Sequence, residues 1–132
     1  MYSWRLIMAP GYIMASILYG LLAYRTGSIL PGITRKSVIE LGRDLGYDVC
    51  EEPVDVHQML ADVQSGKITE VFGCGTAAVI APVGKFGFKD EAYVINNNQP
   101  GPVSKHLYDE LTGIQYGRLP DRFNWTHTIH VN

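Results

Sequence analysis

The sequence has few cysteines, little excess charge and no internal repeat. Cys50 and Cys74 are its only two cysteines in 132 residues, too few and too far apart for the disulfide framework of a small secreted domain. They are typical of reduced thiols in a cytoplasmic or mitochondrial protein. The formal net charge of −2 gives no strong electrostatic attraction to nucleic acid or to acidic membranes. We therefore expect a single soluble-type domain without a nucleic-acid partner.

Formal charge is also absent from a stretch near the N-terminus. Leu6 and Tyr24 bound 19 residues that carry no formal charge, and an arginine flanks the stretch on each side. This length approaches that of a membrane-spanning helix, but Pro10-Gly11 interrupts the stretch. No clear small-residue cleavage site of a signal peptide precedes Arg25. The alternatives are a segment foreign to the rest of the chain, a membrane-inserted helix, and a native strand or helix.

A proline-glycine pair opens the first informative segment, LPGITR at residues 30–35. Pro31-Gly32 breaks any preceding element. Apolar residues then recur at helical spacing, at Val38, Ile39, Leu41 and Leu45. This pattern predicts a helix over residues 35–45 with Thr34 as its N-cap. Because the first N–H groups of a helix are unpaired and positively polarised, anions bind there readily. The alternative is an ordinary capped helix that binds nothing.

The second informative segment is EVFGCGTAA at residues 70–78. It predicts a short strand, a glycine turn and a buried strand over residues 78–83. Gly73 and Gly75 flank Cys74, so the turn is expected to need unusual backbone angles. A threonine hydroxyl beside exposed N–H groups would suit a phosphate or a carboxylate. A Gly-x-Gly-Thr turn is also common in proteins that bind nothing there.

The remaining pattern alternates helices and strands and predicts an α/β fold with a mixed sheet. A second helix is predicted over Val56–Gln64, with Asp55 as its N-cap and Gly66 beyond its end. A third is predicted to begin at Pro102 and to end near Leu111, before Gly113. Strands are predicted at residues 48–52, 70–72, 78–83 and 92–95, with a hairpin over 84–90, a turn at 96–98 and a short extended stretch at 126–131.

Three segments in the same order resemble the branched-chain amino-acid aminotransferases, which are class IV, pyridoxal-phosphate-dependent enzymes. They are GSILPGITR at residues 27–35, EVFGCGTAA at 70–78, and GPVSK at 101–105 followed by LTGIQYGR at 111–118. The resemblance implies the larger, C-terminal domain of the D-amino-acid-aminotransferase-like fold, a mixed sheet with flanking helices. Residues 27–132 would form a partial cofactor-binding domain. The resemblance stops near Thr26, which favours residues 1–26 as an apolar segment outside the family.

The resemblance also implies roles for particular residues. The backbone at Ile33 and Thr34, together with the Thr34 hydroxyl, would hold the phosphate of pyridoxal 5′-phosphate. Thr76 would complete the phosphate site, and the backbone of Gly75, Thr76 and Ala77 would face the substrate carboxylate. The family transfers the amino group of leucine, isoleucine or valine to 2-oxoglutarate and works as a homodimer.

The family's reaction needs a lysine that forms a Schiff base with the cofactor, and in the family this lysine lies upstream of the PGITR segment. Residues 1–30 contain no lysine and no acidic residue that could pair with the pyridine nitrogen. We therefore assign no catalytic residue. Three hypotheses follow: a branched-chain aminotransferase by descent, a non-catalytic truncated product, and a small membrane-anchored protein.

A possible metal pair remains in the tail. The spacing of His127 and His130 suits a helix, but the surrounding stretch is predicted to be extended and offers no third ligand. We expect no metal site.

Overall fold

A computed structural model describes residues 32–51 and 54–132, and describes the backbone alone of residues 5–9, 12–16 and 20–23. The described residues form an α/β fold with flanking helices, which confirms the predicted fold class. The helices are α1 (Ile33–Asp44), α2 (Val56–Gln64) and α3 (Pro102–Gln115), with one turn of 3₁₀ helix at Asn96–Asn98. The strands are β1 (Arg5–Ala9), β2 (Tyr12–Ser16), β3 (Gly20–Ala23), β4 (Val49–Glu51), β5 (Ile68–Gly75), β6 (Val79–Pro82), β7 (Lys85–Phe88) and β8 (Glu91–Val94).

The main sheet is mixed and has the order β4-β3-β2-β5-β6, with β1 paired to β2. Strand β3 is parallel to β4, and α1 lies between them in the chain, as in a β-α-β unit. Strand β2 is antiparallel both to β3 and to β5. Strands β3, β4 and β5 therefore run in the same direction, and their carboxyl ends point toward one edge of the sheet. Strands β7 and β8 form a separate hairpin.

Two hydrophobic clusters hold the helices in place. The first joins α1 and α3 to β5 and β6 through Val38, Leu41, Phe72, Ile80 and Leu107 among others. The second joins α2 to the beginning of β5 through Met59, Leu60, Val63, Ile68 and Val71, with Ile95. Phe72 and Leu41 are fully buried, so α1 is packed firmly on the part of the sheet that leads to the β5–β6 loop.

Helix α2 has the predicted bounds and the predicted cap, but the other two helices differ from prediction. Helix α1 begins at Ile33, with Gly32 as N-cap and no side-chain cap, so the prediction of Thr34 as N-cap is wrong. Helix α3 continues through Gly113 to Gln115. The packing of α3 against Leu119 requires a glycine at position 113, because a Cβ there would lie 2.6 Å from a side-chain carbon of Leu119. The left-handed residue that follows α3 is Gly117, with φ +69°.

The glycines of the second segment lie in a strand rather than in a turn. Strand β5 extends to Gly75, and neither Gly73 nor Gly75 has a positive φ. The expectation of unusual angles there is wrong. The loop is Thr76-Ala77-Ala78, and the strained position is Val79, with φ +60°. Residues 126–131, predicted to be extended, contain no strand.

The described backbone of the N-terminal segment is in strands β1–β3, which belong to the main sheet. The hypothesis of a membrane-inserted helix over residues 6–24 does not agree with these strands. Within the described part of the chain, no helix combines the length and the apolar character needed to cross a membrane. The assignment of residues 1–26 to a segment outside the family stays a prediction.

Candidate anion-binding site

The N-terminus of α1 lacks a side-chain cap among the described residues, and its first turn contains no acidic residue. The first intrahelical bond runs from the Lys36 N–H to the Gly32 carbonyl, at 3.2 Å, so the preceding N–H groups have no intrahelical acceptor. Ile33 is 74% exposed and Thr34 is half-buried. The positive end of the helix dipole is therefore open to an external anion.

The other two helices differ because carboxylates cap them. At α2, the Asp55 carboxylate accepts hydrogen bonds from the N–H groups of His57 (3.4 Å) and Gln58 (3.2 Å). At α3, Glu70 is 3% exposed and accepts from Val103 N–H and Ser104 N–H, both at 2.9 Å.

The predicted residues of the second segment lie at the carboxyl end of β5. Gly75 is the last residue of the strand and is half-buried, whereas Thr76 and Ala77 are exposed in the loop. A Cβ added to Gly75, or to Gly32 at α1, would meet no described atom within 4 Å. Both backbone segments therefore face space that a ligand could enter.

The fold brings the two segments to the same edge of the sheet. Helix α1 follows β3, and β3 runs in the direction of β5, so Ile33 and Thr34 lie at the edge that also carries the β5–β6 loop. Ligands of α/β sheets commonly bind outside the carboxyl ends of the strands. A salt bridge ties this edge together, since Arg35 Nη1 of α1 lies 2.9 Å from Glu51 Oε1 at the end of β4.

Cys74 lies at this edge but does not offer a reactive thiolate. Burial raises the pKa of the Cys74 thiol to about 11, although the positive charge of Arg35 acts in the opposite direction. The thiol stays protonated at neutral pH, so nucleophilic chemistry at Cys74 is not supported.

A cleft of about 250 Å³ lies beside α1, on the side that faces α3 and the C-terminal tail. Ile33, Thr34 and Lys36 line it together with Leu111 and Trp125, but Gly75, Thr76 and Ala77 do not. The cleft thus shares the first turn of α1 with the candidate site and is otherwise separate from the β5–β6 loop.

An ion-pair cluster fixes the tail that borders this cleft. Arg122 Nε lies 2.6 Å from Asp44 Oδ2 of α1, and Arg122 Nη2 lies 3.3 Å from Glu110 Oε2 of α3. Sequence reasoning missed both Arg122 and Glu70. Their partners are distant in the chain, and no local pattern marks them. The only sequence signal at Glu70 is a carboxylate directly before the apolar pair Val71-Phe72.

Among the described residues, no group of three or more His, Cys, Asp or Glu side chains is arranged to hold a metal ion. His127 and His130 are exposed residues of the C-terminal tail.

Comparison with known proteins relates these features to one family. No protein-family profile matches the chain. It is 54% identical over 99 residues to a probable branched-chain-amino-acid aminotransferase of Staphylococcus epidermidis and 47% identical over 103 residues to branched-chain-amino-acid aminotransferase 2 of Bacillus subtilis. The matches include 75% and 78% of this chain, and the chain spans 28% of the length of each relative.

The solved structures extend the likeness to the fold. The branched-chain amino acid aminotransferase of Escherichia coli matches with a TM-score of 0.67 and 28% identity, over 90% of this chain and 40% of that one. The T.th. branched-chain amino acid aminotransferase complexed with N-(5′-phosphopyridoxyl)-L-glutamate matches with a TM-score of 0.68 and 27% identity, over 92% and 41%. By sequence and by fold, the chain belongs to the branched-chain amino-acid aminotransferase family, and it matches only a part of the full length of its relatives.

Proposed function

We propose that this chain holds the phosphate of pyridoxal 5′-phosphate between the N-terminus of α1 and the β5–β6 loop. It would do so as the C-terminal portion of a branched-chain aminotransferase. When bound, the cofactor supplies the electron sink for amino transfer between leucine, isoleucine or valine and 2-oxoglutarate. The T.th. relative has been solved with pyridoxamine 5′-phosphate and with 4-methylvaleric acid, which supports both the cofactor and the branched aliphatic substrate.

The uncapped N-terminus of α1 is the observation that carries this proposal. The helix begins beside open space, its first turn contains no acid, and its neighbours α2 and α3 have carboxylate caps. A phosphate at α1 would take the place that the carboxylates of Asp55 and Glu70 occupy elsewhere. The donor set therefore fits a phosphate group.

Each residue would act through binding and orientation. The N–H groups of Ile33 and Thr34 would donate to the phosphate oxygens, and the Thr34 hydroxyl would add a further donor. The Thr76 hydroxyl would bind the same group from the loop. The backbone N–H groups of Gly75, Thr76 and Ala77 would orient the substrate carboxylate.

Proton transfer needs a group that these 132 residues do not provide at the family's position, since residues 1–30 contain no lysine. We therefore propose that the chain binds the cofactor phosphate without catalysing transamination on its own. The alternative is that the chain forms an active site together with other parts of a branched-chain aminotransferase, including the partner subunit of a homodimer.

Pyridoxamine 5′-phosphate is the probe for a binding test, because it has no aldehyde that could label surface lysines. We expect the purified chain to bind it in a calorimetric titration and inorganic phosphate to compete. Thr34→Val should weaken binding by roughly 10- to 150-fold, since a hydrogen bond to a charged group contributes about 1.5–3 kcal/mol.

Thr128→Val is the matched control, because Thr128 is an exposed threonine in the tail. Equal affinities of the Thr34 and Thr128 variants would contradict the assignment of the phosphate to α1. A separate assay of leucine with 2-oxoglutarate tests inactivity, and measurable turnover by the isolated chain would overturn it.

A further inference from the structure

Arg35 joins the two halves of the candidate site. Its guanidinium pairs with the Glu51 carboxylate at 2.9 Å, and the two side chains are only 16% and 32% exposed. A pair that is shielded from solvent in this way is screened less by salt than an open surface pair. It fixes the first turn of α1 to the carboxyl end of β4.

The same guanidinium acts on the end of β5. Its positive charge lowers the pKa of the Cys74 thiol against the effect of burial, so the guanidinium lies within electrostatic range of the end of β5. Cys74 and Val79 pack on the core cluster that contains Val38 of α1. The two ends of the β5–β6 loop therefore pack on the same core cluster as α1.

The sign of the charge is unusual for this place. Acidic side chains stabilise the first turn of a helix, and cationic side chains destabilise it. The first turn of α1 nevertheless has no acidic residue and contains Arg35. A cation in this position suits a helix whose N-terminus receives an anion.

We propose that Arg35, held by Glu51, is a positioning residue that keeps the N-terminus of α1 and the β5–β6 loop at the spacing needed to bind one phosphate group. The inference rests on the proposed function. It adds that the Arg35–Glu51 pair, rather than the charge of Arg35 alone, sets the affinity of the site.

The first test compares two arginines of the same helix. Arg35→Gln should weaken binding of pyridoxamine 5′-phosphate and of inorganic phosphate roughly tenfold. Arg43→Gln should leave both affinities unchanged, because Arg43 is exposed in the last turn of α1. Equal affinities in the two variants would overturn the inference.

Glu51→Gln separates positioning from charge, because the two explanations predict opposite signs. The substitution removes a negative charge near an anion site, so a pure charge effect would strengthen binding. Loss of the hold on Arg35 would weaken it. We expect weaker binding, and a gain in affinity would reject the positioning role.

A thiol measurement tests the geometry without any ligand. In a Cys50→Ser background, the pH profile of Cys74 alkylation should move to higher pH in Arg35→Gln and stay unchanged in Arg43→Gln, since only Arg35 opposes the effect of burial. An unchanged profile in Arg35→Gln would show that Arg35 does not act on the end of β5 and would overturn the inference.

The binding results also separate this inference from the proposed function. If the unmodified chain binds no pyridoxamine 5′-phosphate, or if Thr34→Val has no effect, the proposed function fails and the inference fails with it. If binding depends on Thr34 but not on Arg35, only the inference fails.

Discussion

Helices α1 and α3 begin in similar sequence, yet their N-termini are used differently. Each follows a glycine N-cap, Gly32 or Gly101, that provides no side-chain hydrogen bond. At α3 the buried Glu70 carboxylate accepts hydrogen bonds from two backbone N–H groups. At α1 no described side chain does so. A buried helix end needs an anion from within the protein, whereas an exposed end can leave its donors for a ligand.

The largest expected effect comes from removing the internal anion. Glu70→Gln keeps the shape of the side chain but replaces one accepting oxygen by an NH₂ group that faces an N–H donor. Because the site is buried, we expect a loss of about 2–4 kcal/mol in the free energy of unfolding, measured by urea denaturation.

Glu91→Gln is the matched control for this variant, since Glu91 is exposed on the β7–β8 hairpin. It should change the stability by less than about 0.5 kcal/mol. A loss of that small size in Glu70→Gln as well would show that α3 does not depend on its internal carboxylate.

Gly101→Ala tests the same contact by steric means. A Cβ at Gly101 would collide with the Glu70 side chain, whereas a Cβ at Gly87 would meet no described atom within 4 Å. We expect a loss of about 1–3 kcal/mol for Gly101→Ala, the usual cost of overpacking, and a much smaller change for Gly87→Ala. The loss should shrink in a Glu70→Ala background, and a loss of unchanged size there would place the collision elsewhere.

Gly32→Asp would make α1 resemble its neighbours. Gly32 has a negative φ of −44° and a ψ of 147°, and the space beside it is open. The new carboxylate should cap α1 and raise the free energy of unfolding by about 0.5–1 kcal/mol. It should also abolish binding of pyridoxamine 5′-phosphate by repulsion. Gly32→Ala is the control. A higher affinity for pyridoxamine 5′-phosphate in Gly32→Asp would contradict the contrast drawn between α1 and α3.

The smallest effect concerns a carboxylate that caps a loop. Asp121 accepts hydrogen bonds from Thr126 N–H (2.7 Å), Thr126 Oγ1 (2.8 Å) and Phe123 N–H (3.2 Å). Chiefly the Thr126 N–H lowers the pKa of the Asp121 carboxyl from 3.8 to about 2. The folded pKa is below the unfolded one, so the contribution to stability is complete above about pH 4 and is lost as the pH falls toward 2.

Asp121→Asn should therefore flatten the acid dependence of unfolding in that window. Asp109→Asn, at an exposed position of α3, provides the comparison. An identical pH profile in the Asp121 variant and the unmodified chain would show that the loop does not depend on the ionised carboxylate.

Local patterns were enough where the interactions are local. Asp55 caps its own helix two and three residues away, and the bounds of α2 were predicted correctly from that pattern. Glu70 acts on a helix 33 and 34 residues downstream, which no local rule can reveal. The end of α3 was misplaced for a different reason, because a glycine that usually ends a helix is required at Gly113 by its packing against Leu119.

The candidate site could be predicted in part. The order of three segments was enough to identify the family, and the structure brings two of them to one edge of the sheet through strand directions that involve β2 and β3. Those strands could not be predicted from the uncharged N-terminal stretch, since its apolar run fits a strand or a helix equally well. The binding roles of Ile33, Thr34, Gly75, Thr76 and Ala77 stay predictions.

Strand β5 contributes neighbouring residues to both cores, with Val71 in the cluster below α2 and Phe72 in the cluster below α1. One backbone segment therefore contributes to both clusters. Displacement of this strand would disturb the packing of both clusters. The molecule should therefore unfold in a single cooperative transition, and the amides of β5 should exchange their hydrogens with solvent more slowly than those of the exposed hairpin.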